Sequence, residues 1–562
     1  MPCTPDAAMK QVLILNITRM GDLVQMGALL ARLREEWPSV AVDLVVDRQF
    51  APVASMLNGL RDIIAYDFHA LIDESRACVK DTVVLYREVA AWAEDLSRRR
   101  YDRIVNLTFN RPSALLAEYV GAPDIRGARS AWDGGTVIDN PWMAYFTDIH
   151  QIRRINRFNL VDVYAMGGSR PGLFAPLCVT APSESADWAR RFLSSHDGLN
   201  RAWIAVQAGA SDVMKAWRPQ HFGVTLARFS RQWDGGILFI GSHSEQGTIA
   251  DVIRTYREAG GRSAIKNAAG HTTLAQLVAL LADCRLLLTN DTGPMHLAVG
   301  VQIPVVDLSV GHVDFQETGP YGPGHWVMQP DLECAPCGFE QVCSHHACKE
   351  RLPIDAVAAL MQYAVGQGPL PAAVPGYRLY RSGVDADQLG RYELVSGHED
   401  AAVAWYAAFW RRRWYESFTG QPSRLPALTG LAPDHDEGVA CIRAMRPLLD
   451  SLCRRADHIV RLTRHMPLPV QTIQALQRAQ TEERQKVAQV GAATWATKPL
   501  TTAALRLLHQ DNVQGLERMA THHAAAYHRW RRETEFMATH LASAPGVDAP
   551  MARAPISYAG IE

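Results

Sequence analysis

QVLILNITRMGDLVQMGALLARLREE, residues 11–36, decides the fold. It opens on a short apolar run, passes through a turn containing Gly21, and continues as an amphipathic stretch from about Leu23 to Glu36. A strand apolar on both sides that runs straight into a helix begins a βα unit of a parallel sheet covered on both faces. The pattern then recurs. VDLVV follows at Val42, IVNL spans Ile104 to Leu107, and another apolar run surrounds Ile125. These define an N-terminal Rossmann-like α/β domain, residues 1–170. Within it, Trp132 to Arg157 lacks clear periodicity and reads as a connection leading into a crossing helix.

After a proline-rich stretch, Pro171 to Pro182, the alternation resumes. Strands are expected at Trp203–Gln207, Gly236–Gly241, Arg285–Asn290 and Pro304–Ser309, with helices at about Pro219–Trp233, Glu245–Ala259 and Thr273–Ala282. A second Rossmann-like domain, residues 171–368, is therefore expected to face the first across a ligand-binding cleft. Beyond about Gly368 strand-like runs disappear. Helical periodicity is plain in Ile473–Val490 and again in Leu505–Leu541, which predicts an all-α extension over 369–562.

The totals exclude several classes of function. The 562 residues are 48% hydrophobic and 20% charged, an ordinary globular composition that calls for several domains. Lys and Arg number 57 against 58 Asp and Glu, so no net field draws in nucleic acid. Met1 to Lys10 has no secretory pattern, and no segment reaches the roughly 20 apolar residues of a membrane span, so a soluble, cytoplasmic protein is expected.

Three strand-to-helix turns carry chemistry. In Thr18-Arg-Met-Gly-Asp22, Asp22 sits where ligands of open α/β sheets bind, although an acid there also serves as a helix cap. The turn has neither the dinucleotide fingerprint nor the P-loop spacing. The second, Gln207-Ala-Gly-Ala-Ser211, is followed by Lys215 and Trp217. Small residues let backbone N–H groups approach a phosphate, and Ser211 and Lys215 supply a hydroxyl and a charge, unless this is an ordinary loop with a solvated lysine. The third, Asn290-Asp-Thr-Gly-Pro-Met-His296, packs a carboxylate, a hydroxyl, backbone donors and an imidazole into one turn. Capping by Asp291 or Thr292 and a packed core His296 are the competing structural readings.

TRMGD, GAS followed by KAWRP, GSHSE at Gly241–Glu245, NDTGPMHLA and a cysteine-rich tail occur together and in order. The combination resembles glycosyltransferase family 9, the bacterial lipopolysaccharide heptosyltransferases, over about Gln11 to Val365. The resemblance implies the GT-B architecture of two Rossmann-like domains facing a cleft. It also implies inverting transfer of a sugar, such as heptose from ADP-heptose or another nucleotide-sugar, onto a glycan, lipid-linked or protein acceptor. By the same resemblance Asp22 is the general base, Ser211 and Lys215 hold the donor diphosphate, and Glu245 grips the ribose. Asp291, Thr292, Gly293 and His296 contact the sugar and phosphates, and no metal or other cofactor is required for transfer. Helix-start capping is the structural alternative for Glu245. Between Val306 and Cys334 the chain departs from the family's Phe-Gly-Pro-Thr turn, so the resemblance does not fix the donor.

Two further features lie outside that scheme. Cys334, Cys337, Cys343 and Cys348, with His345 and His346 between them, are spaced to surround a structural Zn or Fe or to pack as reduced thiols. Autotransporter heptosyltransferases resemble this in bearing an iron-bound cysteine cluster. WYAAFWRRRWYESF, Trp405 to Phe418, suits either peripheral contact at the inner face of the cytoplasmic membrane or a helix with its aromatic face buried and its arginines solvated; the latter is expected. The extension can also provide oligomer contacts. The alternatives to a transferase are a non-catalytic nucleotide- or glycan-binding assembly protein and a GT-B-like nucleotide-sugar epimerase. The first is disfavoured by the intact Asp22 and Lys215, the second by the lack of further assignable cleft carboxylates.

Overall fold

A computed structural model describes residues 9–17, 19–68, 81–194, 201–338, 343–428, 430–465, 467–509 and 514–542. Thr18 of the first turn lies outside them. The chain divides into two compact units: Met1–Thr108 with Gly121–Asp124 and Phe158–His398, and Phe109–Val120 with Ile125–Arg157 and Glu399–Glu562.

Both parallel sheets belong to the first unit. In the N-terminal sheet, Asp62–Tyr66, Ala41–Asp47, Gln11–Leu15 and Arg103–Asn106 lie side by side in that order, all parallel. Val12 to Leu15 and Val42 to Val46 are buried along both strands, Asp43 included, as the continuous apolar runs require. The Asp43 carboxylate is held below its usual range because Arg61, Tyr101 and Arg99 bond to it, against the opposing effect of burial.

The second sheet runs Ile265–Asn267, Gly236–Phe239, Trp203–Gln207, Cys284–Thr289, Val305–Leu308 and Trp326–Pro330, again parallel. Its order, third-second-first-fourth-fifth-sixth, is that of a doubly wound nucleotide-binding sheet. The chain reverses direction across the sheet between Trp203–Gln207 and Cys284–Thr289. Trp217 from the loop before Pro219, together with Phe222, Phe229 and Tyr256 from the flanking helices, closes one core over it.

Two expectations need correction. Tyr377–Val384 and Gly390–Ser396 lie in the segment read as helical but form two antiparallel strands that extend the second sheet past Trp326–Pro330. Tyr377, Leu379 and Tyr380 anchor the first of them in the core, and the Asp385 side chain closes the turn by accepting from the backbone of Asp387 and Leu389. The helix expected from Leu23 to Glu36 is two helices, Met20–Gln25 and Gly27–Glu36.

The second unit is mainly helical. Its principal helices are Pro141–Ile152, Ala401–Thr419, His435–Leu462, Val470–Gly491, Lys498–His509 and Leu516–Ala542. The periodic stretch Leu505–Leu541 therefore spans two helices, with Gly515 at φ 93° before the second. On Ala401–Thr419 the aromatic side is buried, but so are Arg411 and Arg413, the latter paired with Glu533 at 3.1 Å. Arg411 and Arg413 are therefore not solvated as expected, while Arg412 is partly exposed. No helix among the described residues is long and apolar enough to cross a membrane.

Candidate active site

Each of the three turns follows the C-terminal end of a parallel strand, the edge at which doubly wound sheets bind ligands. The turns after Trp203–Gln207 and Cys284–Thr289 flank the point where the second sheet reverses its order. One buried side chain ties them together. Asn290 accepts from the Trp217 backbone N–H at 3.0 Å and donates through Nδ2 to the carbonyls of Ala208 and Gly209, both at 3.2 Å. Asn290 received no role from the sequence, because its importance rests on contacts more than seventy residues away.

Asp22 falls in the first turn of Met20–Gln25, whose N-cap, Arg19, makes no side-chain cap. The Asp22 carboxylate has no hydrogen-bond partner among the described residues, so it is not spent on holding the helix. Burial raises it to about 6, with the nearby Arg19 charge opposing. Its negative charge, after burial and ahead of that of Glu317, pushes the buried Tyr164 phenol well above its ordinary range. Asp22, Glu317 and Tyr164 thus share one electrostatic neighbourhood.

His296 links this turn to the second sheet. A Cβ on Gly21 would stand 3.0 Å from its Cδ2, so a hydrogen at that position is what lets the imidazole pack over the turn. His296 is buried, and burial followed by the Lys215 charge lowers it to about 4, leaving it neutral near pH 7. His296 is thus packed over the Asp22 turn and feels the charge of Lys215. Lys215 itself is half-buried; its backbone N–H donates to the Asp212 carbonyl at 3.0 Å, while its ammonium has no hydrogen-bond or ion-pair partner among the described residues. Ser211 is exposed.

Thr292 is the N-cap of Gly293–Gly300 without making a side-chain cap, so the turn's backbone donors are not consumed by its own hydroxyl. Asp291 instead accepts from Thr318 Oγ1 at 2.5 Å. Thr318 belongs to the short helix Phe315–Thr318, within the stretch that departs from the family's usual turn. Glu245 does complete a capping box: Oε2 accepts from the Ser242 N–H at 2.6 Å, and Oε1 takes Gln207 Nε2 at 2.9 Å. It lies tightly over Gly209, where a Cβ would come within 2.0 Å of Oε1 and the Glu245 side chain would have to shift.

Asp307 was not singled out from the sequence, yet an acid inside the apolar PVVDLS run is the signal that marks it. It is fully buried on Val305–Leu308, aligned with Thr289 on the neighbouring strand, and neither carboxyl oxygen has a hydrogen-bond partner. Burial and then the Asp291 charge push it well above the carboxylate range, with Lys215 opposing.

Among the described residues no group of three or more His, Cys, Asp or Glu converges to hold a metal ion. The four thiols of the cysteine segment are neighbours: burial, then the charges of Cys334, Cys348 and Cys343, raise Cys337 to about 11. Cys343 Sγ, however, accepts from the His346 N–H at 3.3 Å and His345 Nδ1 from the Ala347 N–H at 3.1 Å, which turns both into their local turn. Residues 339–342, inside the segment, lie outside those described.

The fold and these turns define a two-sheet α/β protein with a candidate phosphate-binding edge. The profile of glycosyltransferase family 9 (heptosyltransferase) matches residues 89–348. Lipopolysaccharide heptosyltransferase 1 of Pseudomonas aeruginosa is 34% identical over 345 residues, 60% of this chain and 89% of that protein. The chain belongs to glycosyltransferase family 9. Lipooligosaccharide heptosyltransferase 2 of Campylobacter jejuni subsp. jejuni is 30% identical over 159 residues, 27% of this chain, and the match spans about half (48%) of that relative's length. Among solved structures, the ADP-heptose lps heptosyltransferase II of E. coli is similar at 20% identity and a TM-score of 0.46, covering 64% of this chain and 99% of that one.

Proposed function

We propose that this protein is an inverting glycosyltransferase that moves a sugar from a nucleotide-sugar donor to a glycan acceptor, with Asp22 as general base. The observation that carries the reading is a pairing of opposites: a carboxylate with a raised pKa that caps nothing, in a turn packed under His296, whose imidazole feels the charge of a lysine that has no ion-pair partner among the described residues. Family membership supports the reaction class, and the relatives' names make a heptose the first sugar to test.

In this scheme the diphosphate rests against the backbone donors of the 208–211 and 291–293 turns, and the Lys215 ammonium takes up the charge that develops on it as the glycosidic bond breaks. Ser211, Thr292 and Gly293 line the phosphate path, Asp291 accepts from sugar hydroxyls, and Glu245 uses its remaining lone pairs on the ribose. Asp22 accepts the proton of the attacking hydroxyl. A carboxylate near 6 suits that role, being ionised at pH 7 and more basic than an ordinary aspartate. Neutral His296 fills the space between base and cradle without adding a charge that would compete with either. No step calls on a metal ion.

The test is a screen of the purified protein against ADP-, GDP- and UDP-sugars, including ADP-heptose, for binding and for transfer to lipopolysaccharide-core or glycan acceptors. Transfer with inversion from one of them is the expected result. Binding of none, under conditions where the protein is folded, contradicts the reading.

A further inference from the structure

The cysteine-rich segment, which holds no assigned role, ends in a lysine that reaches the candidate phosphate turn. Lys349 lies on the helix Ala347–Arg351, directly after Cys348, and is only 7% exposed. Its ammonium donates to the Val213 carbonyl at 2.5 Å, two residues before Lys215. Its own carbonyl accepts from Trp217 Nε1 at 2.9 Å, two residues after Lys215. His221 Nδ1 also approaches that carbonyl, at 3.2 Å. One residue therefore grips the Lys215 turn on both sides.

The turn's other contacts are local or come from the Gly311–His312 segment: Lys215 N–H donates to the Asp212 carbonyl at 3.0 Å, His312 Nε2 lies 3.7 Å from Asp212 Oδ2, and the Met214 carbonyl packs against Gly311. Val213–Lys215 is a single 3-10 turn, started by the Asp212 side chain accepting from the Met214 N–H at 2.8 Å, and Val213 and Ser211 are exposed. Asn290 holds the Trp217 backbone, and among the described residues the Val213 carbonyl is otherwise bonded only by the local Ala216 N–H at 3.2 Å. Burying an ammonium costs free energy unless its hydrogen bonds are made, and burial lowers the Lys349 pKa accordingly. A hydrophobic residue would fill the same space without that cost. What the lysine adds is a directed, charge-assisted bond to one particular carbonyl.

We infer that Lys349 is a positioning residue for donor binding, clamping the Val213–Trp217 turn so that the Lys215 ammonium is presented to the diphosphate. The cysteine segment then acts on the site mechanically: Cys337 N–H donates to the Gly311 carbonyl at 3.0 Å and Glu350 pairs with Arg218, so the segment is fastened to the same edge of the sheet at further points. This inference rests on the reading of Lys215 as the diphosphate ligand.

The experiment is a double-variant cycle on nucleotide binding, measured by calorimetry with ADP, GDP and UDP, using whichever binds the wild-type protein most tightly. The variants are Lys215→Ala, Lys349→Met, which keeps the apolar stem, and their combination. Trp217→Phe, which removes only the indole N–H, gives a second route should Lys349→Met unfold, as judged by circular dichroism. Lys349→Met is expected to weaken binding about tenfold or more, Trp217→Phe by less. The combined variant should bind no more weakly than Lys215→Ala alone, because a clamp has no effect once the group it presents is gone. In transfer assays the donor KM should rise while the acceptor KM stays as in the wild type. Wild-type affinity in Lys349→Met, or additive losses in the combined variant, overturns the inference while leaving the role of Lys215 intact. Wild-type affinity in Lys215→Ala overturns that role, and the inference with it.

Discussion

The imidazole of His296 lies over Gly21, with a would-be Cβ 3.0 Å from Cδ2 and 3.4 Å from Nε2. This contact sets the spacing between the turn that carries Asp22 and the sheet that carries Lys215. Gly21→Ala should push the two apart by a few tenths of an ångström, and Gly21→Val by more. Since misplacement of about 1 Å can cost a hundredfold, kcat is expected to fall about threefold to tenfold in the alanine variant and further in valine. Steady-state kinetics beside thermal melting checks this; a valine variant as active as the wild type would show that the contact does not set the spacing.

The pH dependence follows from Asp22. A base must be ionised, so with a carboxyl near 6 activity should rise as pH increases through about 6 and level off above it. His296, near 4, is already neutral across that range and adds no limb. The acidic limb of kcat/KM should therefore belong to Asp22 and move when Arg19, the charge opposing the shift, is removed. Arg19→Met is expected to displace the limb to higher pH, and a limb that stays in place contradicts the assignment.

Asp307 should behave as a group kept for function at a cost in stability. Its carboxyl is fully buried with neither oxygen hydrogen-bonded, so an apolar residue of similar size is expected to stabilise the fold by about 1–3 kcal/mol. Asp307→Val should raise the urea midpoint and lower donor affinity, because Asp291 and Lys215 lose the polar carboxyl group beside them. Asp307→Asn, which keeps a polar group of the same size, should leave affinity near the wild-type value. A stabilised and fully active valine variant would make the acid dispensable.

Much of this arrangement could be read from the chain because it rests on local pattern. Val12–Leu15 and Leu286–Leu288 are continuous apolar runs that only a covered strand accommodates, and the turns after them place Asp22 and Asp291 on the sheet's ligand edge by geometry alone. The parts that were not legible depend on distant partners. Gly390–Ser396 alternates half-buried and exposed positions among charged residues, and it becomes a strand only because Tyr377–Val384 offers an edge to pair with. Arg411 and Arg413 look like surface residues until Glu533 and Phe536, over a hundred residues later, enclose Arg413. Asn290 and Lys349 read as a turn residue and a surface lysine, and only the tertiary fold shows what each one holds.

Glu245 both caps its helix and, in the proposed scheme, contacts the ribose. Glu245→Gln retains an oxygen to accept from the Ser242 N–H, so the helix should survive with little loss of stability. Nucleotide affinity should nonetheless fall about tenfold, since hydrogen bonds to a charged acceptor are worth more than those to a neutral one. Calorimetry against the free nucleoside diphosphate separates the two effects, and unchanged affinity would leave Glu245 a cap alone.

The central claim is that Asp22 takes the acceptor's proton. Its most direct measurement compares turnover of the wild-type protein and Asp22→Ala with the donor identified by the nucleotide-sugar screen. Both proteins should bind that donor with similar affinity, while turnover falls at least about a hundredfold in the variant. Equal turnover in the two would contradict the account.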